Sequence, residues 1–294
     1  MLSRFLYYCL LKPLSYLPLS VLYRLSDFIF LVIYYLVGYR RKVVFSNLHN
    51  AFPEKTETEI TRIAKGFYRH LCDWIVESIR IFSMPREEAV RRVRVLNPKV
   101  ADRVAATGKP VILTAAHYAT WEMATVGFGL QLELEPYVIM APIKNKFWQK
   151  KIVQSRTRFR TRYLKMRGIR SFLSARHPHP VGVVFVGDQA PPDSTGRYYW
   201  TTFLNQETPV MLGTERFAKI YDLPVIYMKQ QRIKRGYYTL EMIPLTDTPK
   251  ATETFEITEM HTRLLEEIIL DAPRFWLWSH KRWKRKRPVR KEKT

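Results

Sequence analysis

The sequence predicts an α/β chain: a mixed, mostly parallel central sheet flanked by helices, with an N-terminal membrane-anchoring helix. Three observations carry this. Short apolar runs of strand type, at 111–116, 138–141 and 181–187, alternate with longer segments of helical period. The run Val181-Gly-Val-Val-Phe-Val-Gly187 is apolar throughout, as a central parallel strand covered on both faces requires. Val225–Gln230 and Tyr237–Ile243 flank the basic turn Arg232–Gly236 and read as an antiparallel pair, which makes the sheet mixed.

From the N-terminus, residues 1–39 are rich in Leu, Tyr, Ile, Phe and Val, interrupted by Lys12, Arg24 and Asp27. The uncharged run Phe28–Tyr39 is shorter than the roughly 20 residues that span a bilayer. With Arg24 snorkelling, the segment up to Tyr39 crosses at a tilt; otherwise its pieces lie in the interface as aromatic-rich amphipathic helices. A buried N-terminal helix of a soluble protein is the plainer alternative. Arg40-Arg41-Lys42 is a positive-inside flank that places the remainder in the cytoplasm. No A-x-A-like cleavage site follows the apolar run, which argues against a removed signal peptide.

Thr56-x-Thr58-Glu59 opens a helical pattern through Ile60, Ile63, Phe67, Leu71, Trp74 and Ile75. A helix from Pro85, with Glu87 and Glu88 in its first turn, and a second short one after Asn97-Pro98 follow. The strand at 111–116 leads into His117, and Thr120 is a candidate N-cap for a helix with Glu122 in its first turn. After the strand 138–141, Asn145–Leu164 reads as an amphipathic, strongly basic helix that carries Arg156 and Arg158. Ser171–Ala175 is a short helix. His177 and His179 are loop residues without metal-ligand partners in sequence. The strand 181–187 ends in Asp188-Gln189; functional groups of open α/β sheets gather at such carboxyl ends, so Asp188 shares an edge with His117. Residues 191–200 form an aromatic loop, and helices follow at Gly213–Tyr221 and Thr254–Leu270. The end, from Trp276 to Pro288, is a dense cationic and aromatic run.

Composition narrows the partners. Among 294 residues, 49 Lys and Arg face 26 Asp and Glu, a formal charge of +23. Such a chain favours a polyanion: nucleic acid, anionic lipid headgroups or a phosphorylated substrate. A 47% hydrophobic and 14% aromatic content excludes a disordered basic tail protein. Cys9 and Cys72 support neither a zinc site nor a disulfide framework. The cationic end suits an anionic membrane surface or nucleic acid, and the apolar N-terminus favours the membrane.

His117 and Glu122 carry the candidate chemistry. On one continuous helix, positions five apart diverge by about 140°, so the two meet only if the chain turns between them. A histidine at a strand end, oriented by a carboxylate, is a base for a hydroxyl proton. Histidine titrates near neutrality unperturbed. Arg158, or backbone N–H groups near Thr120, are candidate donors to an oxyanion. No metal is required.

Four features occur in a fixed order: His117-x4-Glu122 after a strand, the basic region around Arg156 and Arg158, the Asp188-Gln189 strand end, and Trp276-x-Trp278-x-His280-x-Arg282-Trp283. Together they resemble the late (lauroyl/myristoyl) acyltransferases of lipid A biosynthesis, within the lysophospholipid acyltransferase-like superfamily. The resemblance covers almost the whole chain. It implies a glycerolipid-acyltransferase-like fold, with an N-terminal membrane anchor at 1–42, an acyltransferase domain at 43–283 and a basic tail at 284–294. It also implies a single-pass or peripheral inner-membrane enzyme, working on the cytoplasmic side. That enzyme would move a fatty acyl chain from acyl carrier protein, or from acyl-CoA, to a hydroxyl of an anionic lipid A precursor, without a cofactor and without nucleic acid. In this reading His117 is the general base and Glu122 its partner. Arg156 or Arg158 binds phosphate or the oxyanion, and Asp188 and Gln189 belong to the substrate site. Where many relatives carry a Phe-Gly turn, this chain has Thr202-Phe203-Leu204-Asn205-Gln206. That leaves a glycerophospholipid or an amino-acid-linked lipid as alternative acceptors. A basic nucleic-acid-binding protein is the alternative of a different class.

Overall fold

The computed structural model describes residues 1–192 and 198–287. Two short helices, α1 (Leu2–Phe5) and α2 (Lys12–Tyr16), precede α3 (Leu19–Leu31), which a π-helical turn prolongs to Val37. Within this stretch of 19 residues, a window of 18 has a mean hydropathy of 1.6, and only 22% of that window is buried against the rest of the protein. It ends where Gly38 takes φ 63°, a left-handed conformation open to glycine at little steric cost. Helices α4 (Arg41–Ala51) and α5 (Glu57–Arg80) follow. A capping box starts α5: the Thr56 hydroxyl accepts from the Glu59 amide, and the Glu59 carboxylate accepts from the Thr56 amide. The predicted stripe through Ile60, Phe67 and Leu71 is the buried face of α5.

Helix α6 (Arg86–Arg92) runs into β1 (Val93–Val95), then α7 (Pro98–Ala105), β2 (Val111–Ala115), α8 (Trp121–Gly127), β3 (Glu135–Ile139) and α9 (Lys146–Thr157). Next come β4 (Arg162–Leu164), α10 (Ile169–Ser174), β5 (Val181–Val186), the hairpin β6 (Tyr198–Phe203) and β7 (Gln206–Met211), and α11 (Gly213–Tyr221). Long strands β8 (Val225–Lys234) and β9 (Tyr237–Thr246) and helix α12 (Glu256–Asp271) complete the regular elements. Seven strands form one sheet in the order β1-β9-β8-β2-β5-β3-β4. All neighbours are parallel except the β8–β9 pair. The sheet is therefore mixed and mostly parallel, as the apolar runs predict. Its central strand β2 is buried at every position because helices cover both faces.

The structure departs from the sequence reading in three places. The basic helix stops at Thr157; Arg160 takes φ 67°, and the chain returns as edge strand β4 rather than continuing to Leu164. The expected aromatic loop at 191–200 is β6 from Tyr198 onward, while residues 193–197 lie outside the described part. The C-terminal run is packed inward rather than displayed: Trp276 and Trp278 are buried in the main core, and Asn47 Nδ2 donates to the carbonyls of Trp278 (2.8 Å) and His280 (3.0 Å). The rest of the expected basic tail, 288–294, lies outside the described residues.

Candidate active site

Strand register builds the site. β2 and β5 are parallel neighbours with Ala115 opposite Val186. Two residues beyond each, past the carboxyl ends, stand His117 and Asp188. His117 Nδ1–H donates to Asp188 Oδ1 at 2.7 Å, and the His117 amide donates to Oδ2 at 3.1 Å. The Trp276 indole N–H donates to the same Oδ2 at 3.0 Å. Asp188 is buried, which alone would raise its pKa. The charge of His117 and the hydrogen bonds from His117 and Trp276 outweigh burial and hold the carboxyl below its ordinary range. Burial likewise pushes the His117 imidazolium down, yet the charge and hydrogen bond of Asp188 leave its pKa raised above the ordinary 6.5. With Nδ1–H committed to Asp188, the Nε2 lone pair is the basic one. It faces the Gln189 side-chain nitrogen at 3.4 Å, and the Trp121 ring lies edge-on with centroids 5.2 Å apart.

The chain does turn after His117. Ala119 adopts φ 49°, and two hydrogen bonds hold it there. Its amide donates to the Phe275 carbonyl at 2.9 Å, and His70 Nε2–H donates to its own carbonyl at 2.7 Å. His70 is neutral: burial and then Arg232 drop its pKa to about 4. Thr120 precedes α8, but its hydroxyl donates to the buried Glu77 carboxylate at 3.2 Å instead of capping the helix.

The expected His117–Glu122 contact is replaced. Asp188 occupies Nδ1, and the turn sends Glu122 toward α9, where its carboxylate accepts from Arg156 Nε at 2.8 Å and from Arg156 Nη2. Arg156 itself is buried at 4% exposure. The fold thus brings His117, Asp188 and Gln189 together, with the Glu122–Arg156 pair beside them. Arg158 stands apart: its guanidinium donates to the carbonyls of Ile81 (2.5 Å) and Ser155 (3.1 Å) and lies over the Phe159 ring.

Local sequence patterns did not identify Asp188 as the ring partner, or Trp276 and His280 as parts of the site. The signal was present in the strand ends: equal overhangs beyond two adjacent parallel strands bring their tips together. His280 accepts the Ala190 amide at 3.1 Å and so pins the loop after Gln189. Behind Asp188 a small cavity is lined by Tyr227, His261 and the buried Arg282, whose Nη2 donates to the Pro209 carbonyl at 2.8 Å. On the same sheet edge, a groove of about 560 Å³ between the end of β3 and α9 is lined by Lys144, Lys146, Lys150 and Lys165. Among the described residues no three His, Cys, Asp or Glu side chains gather in a metal-binding arrangement.

Comparison with known proteins gives the family. The chain is 22% identical over 271 residues to the lipid A biosynthesis lauroyltransferase of Escherichia coli (strain K12), covering 91% of this chain and 87% of that protein. The profile described as bacterial lipid A biosynthesis acyltransferase matches residues 1–285. A match over nearly the whole chain makes this protein an acyltransferase, a member of the bacterial lipid A biosynthesis acyltransferase family.

Proposed function

We propose that the protein is a membrane-associated O-acyltransferase in which His117 takes the proton of a lipid hydroxyl. The observation that carries this is the His117–Asp188 contact of 2.7 Å, which fixes the ring tautomer and leaves the Nε2 lone pair as the base. The acceptor oxygen attacks a thioester carbonyl as its proton moves to Nε2. A C–O bond forms, the C–S bond breaks, and the imidazolium returns the proton to the departing thiolate. Asp188 stabilises that imidazolium. Gln189 stands beside Nε2, and we assign its side-chain N–H as a donor to the developing oxyanion. Arg156 and Glu122 neutralise each other, and we assign them to shaping this pocket rather than to proton transfer. No cofactor enters these steps.

The donor in this reading is acyl carrier protein, with acyl-CoA as the competing donor, and the acceptor is a hydroxyl on an anionic lipid A precursor. The lysine-lined groove on the reacting edge of the sheet supports both, since the carrier protein and the lipid are negatively charged. The nucleic-acid alternative loses its aromatic half, because Trp276 and Trp278 are core residues and unavailable for base stacking. Replacing His117 with Ala tests the proposal directly. Acyl transfer to a lipid A precursor, followed by the acceptor's mass shift with each donor in turn, should fall by about 10³-fold or more. Turnover at the wild-type rate in the folded variant would remove His117 from the chemistry.

A further inference from the structure

Glu77, in the last turn of α5, is fully buried at 0% exposure, and the proton transfer described above makes no use of it. Among the described residues its hydrogen-bond partners are all hydroxyls, and they come from three separate parts of the chain. Tyr23 of α3 donates to Oε1 at 2.8 Å. Tyr238 of β9 donates to both oxygens at 2.9 Å. Thr120 donates to Oε2 at 3.2 Å, and Thr120 lies between His117 and Glu122 in the turn that sets the direction of both. A buried carboxylate is costly to keep unless its oxygens are satisfied. Three hydroxyls that converge on it from α3, β9 and the turn therefore hold those segments in fixed relation. The contact from α3 is close-fitting: a Cβ on Gly236 would lie 2.2 Å from the Tyr23 hydroxyl oxygen. About two helical turns earlier on α5, His70 grips the neighbouring Ala119 carbonyl. The strained φ of 49° at Ala119 is thus held by a two-point clamp from α5.

We propose that Glu77 is a positioning residue for the acyl-transfer site: its carboxylate joins Tyr23 of the apolar N-terminal helix to Thr120 of the turn after His117, so that correct seating of that helix sets the orientation of the base. The proposal rests on His117 acting as the base. Helix α3 then has two duties, contact with lipid on its outer face and, through Tyr23, alignment of the catalytic turn on its inner face. Loss of the Tyr23 hydroxyl slows chemistry even where membrane binding is intact.

The test compares Glu77→Gln, Thr120→Val, Thr120→Ser and Tyr23→Phe with wild type in the full-length, detergent-solubilised protein. Two readouts are taken beside thermal unfolding: kcat and KM for a short-chain acyl thioester, and the rate at which diethyl pyrocarbonate modifies His117, followed by mass spectrometry. Thr120→Val and Glu77→Gln should lower kcat by about tenfold to a hundredfold, as expected of a small misplacement, with KM changed by less than about twofold. Both should alter the modification rate of His117 severalfold. Thr120→Ser retains the hydroxyl and should restore both readouts, and Tyr23→Phe should give a smaller loss of the same kind. The double variant Glu77→Gln/Thr120→Val should be no slower than the slower single one, because the two act through one link. Folded Thr120→Val and Tyr23→Phe proteins with wild-type kcat and wild-type His117 modification would overturn the proposal, and so would effects confined to thermal stability. If Glu77→Gln fails to fold, the threonine and tyrosine variants decide alone. If wild type transfers no acyl group while the His117 modification rates still follow the predicted pattern, the acyl-transfer chemistry fails and the clamp stands.

Discussion

His117 sits between two opposed influences, burial that disfavours its charge and a carboxylate that favours it, and the carboxylate wins. The sign of a pH effect follows. In the proposed mechanism the base works when neutral, so the rising limb of kcat/KM against pH should lie above the ordinary histidine value of 6.5. Asp188→Asn removes the charge but preserves the shape. Burial then dominates, and the limb should move to lower pH. The maximal rate should fall by about 10²- to 10⁴-fold, because an amide at this position can hold the wrong ring tautomer. A limb that stays in place would show that Asp188 does not set the basicity of His117. The place of His117 after an apolar strand was legible, and so was the sheet edge it shares with Asp188, but the hydrogen bond between the two was not. Asp188 lies 71 residues away, and the contact arises from the register of β2 on β5, which no local spacing encodes. Glu122, five residues along, was the nearer carboxylate in sequence and belongs to a different pair.

At the scale of elements, legibility followed the strength of periodic pattern. α5, α11, α12 and the β8–β9 pair lie close to where apolar spacing and turn residues put them. The short edge strands β1 and β4, three residues each, carry too few alternations to be read, and they form because the sheet has edges to offer them. The C-terminal run misled through composition: tryptophans among arginines suggest a surface, yet they fill the space over Asp188. Helix α8, which carries Glu122, depends on a close approach that can be tested. A Cβ added at Gly127 would lie 2.4 Å from the Val93 Cβ of β1, and Val93 is buried. Gly127→Ala gains about 1 kcal/mol of helix propensity but must displace β1, an overpacking cost of about 1–3 kcal/mol. The variant should therefore unfold at lower denaturant concentration than wild type. Gly168→Ala, whose nearest neighbour would be 3.7 Å away, should stay within about 0.5 kcal/mol. Greater stability in Gly127→Ala would mean that β1 yields freely.

For the whole molecule, the distribution of exposed apolar surface bears on the proposed membrane association. Of the 19 large hydrophobic side chains that are exposed among the described residues, 14 lie within residues 1–39. On the helix from Leu19 to Val37 the exposed Val21, Phe28, Leu31 and Tyr35 recur at intervals of three, four and seven, so they form one outward stripe. The opposite face packs Leu19, Leu22 and Phe30 against the domain and adds polar contacts among them and at its margin: Ser26 donates to Asp73 at 2.7 Å, and Arg235 pairs with both Asp27 and Asp73. A helix crossing the bilayer would carry these groups into hydrocarbon, whereas one lying in the interface keeps them on the protein side. We therefore favour a peripheral, in-plane helix, aided by attraction between the +23 chain and anionic headgroups. Leu36 is 80% exposed, so Leu36→Glu should leave the fold intact. It should also lower partition onto phosphatidylglycerol-containing vesicles by about tenfold or more. Raising the salt should strip the variant from vesicles far more readily than wild type, because the remaining attraction is electrostatic and screened. A Leu36→Glu protein that stays with the membrane through a high-salt wash would point instead to a helix that spans it, and the contacts of Ser26 and Asp27 with the domain would then have to break in the bilayer.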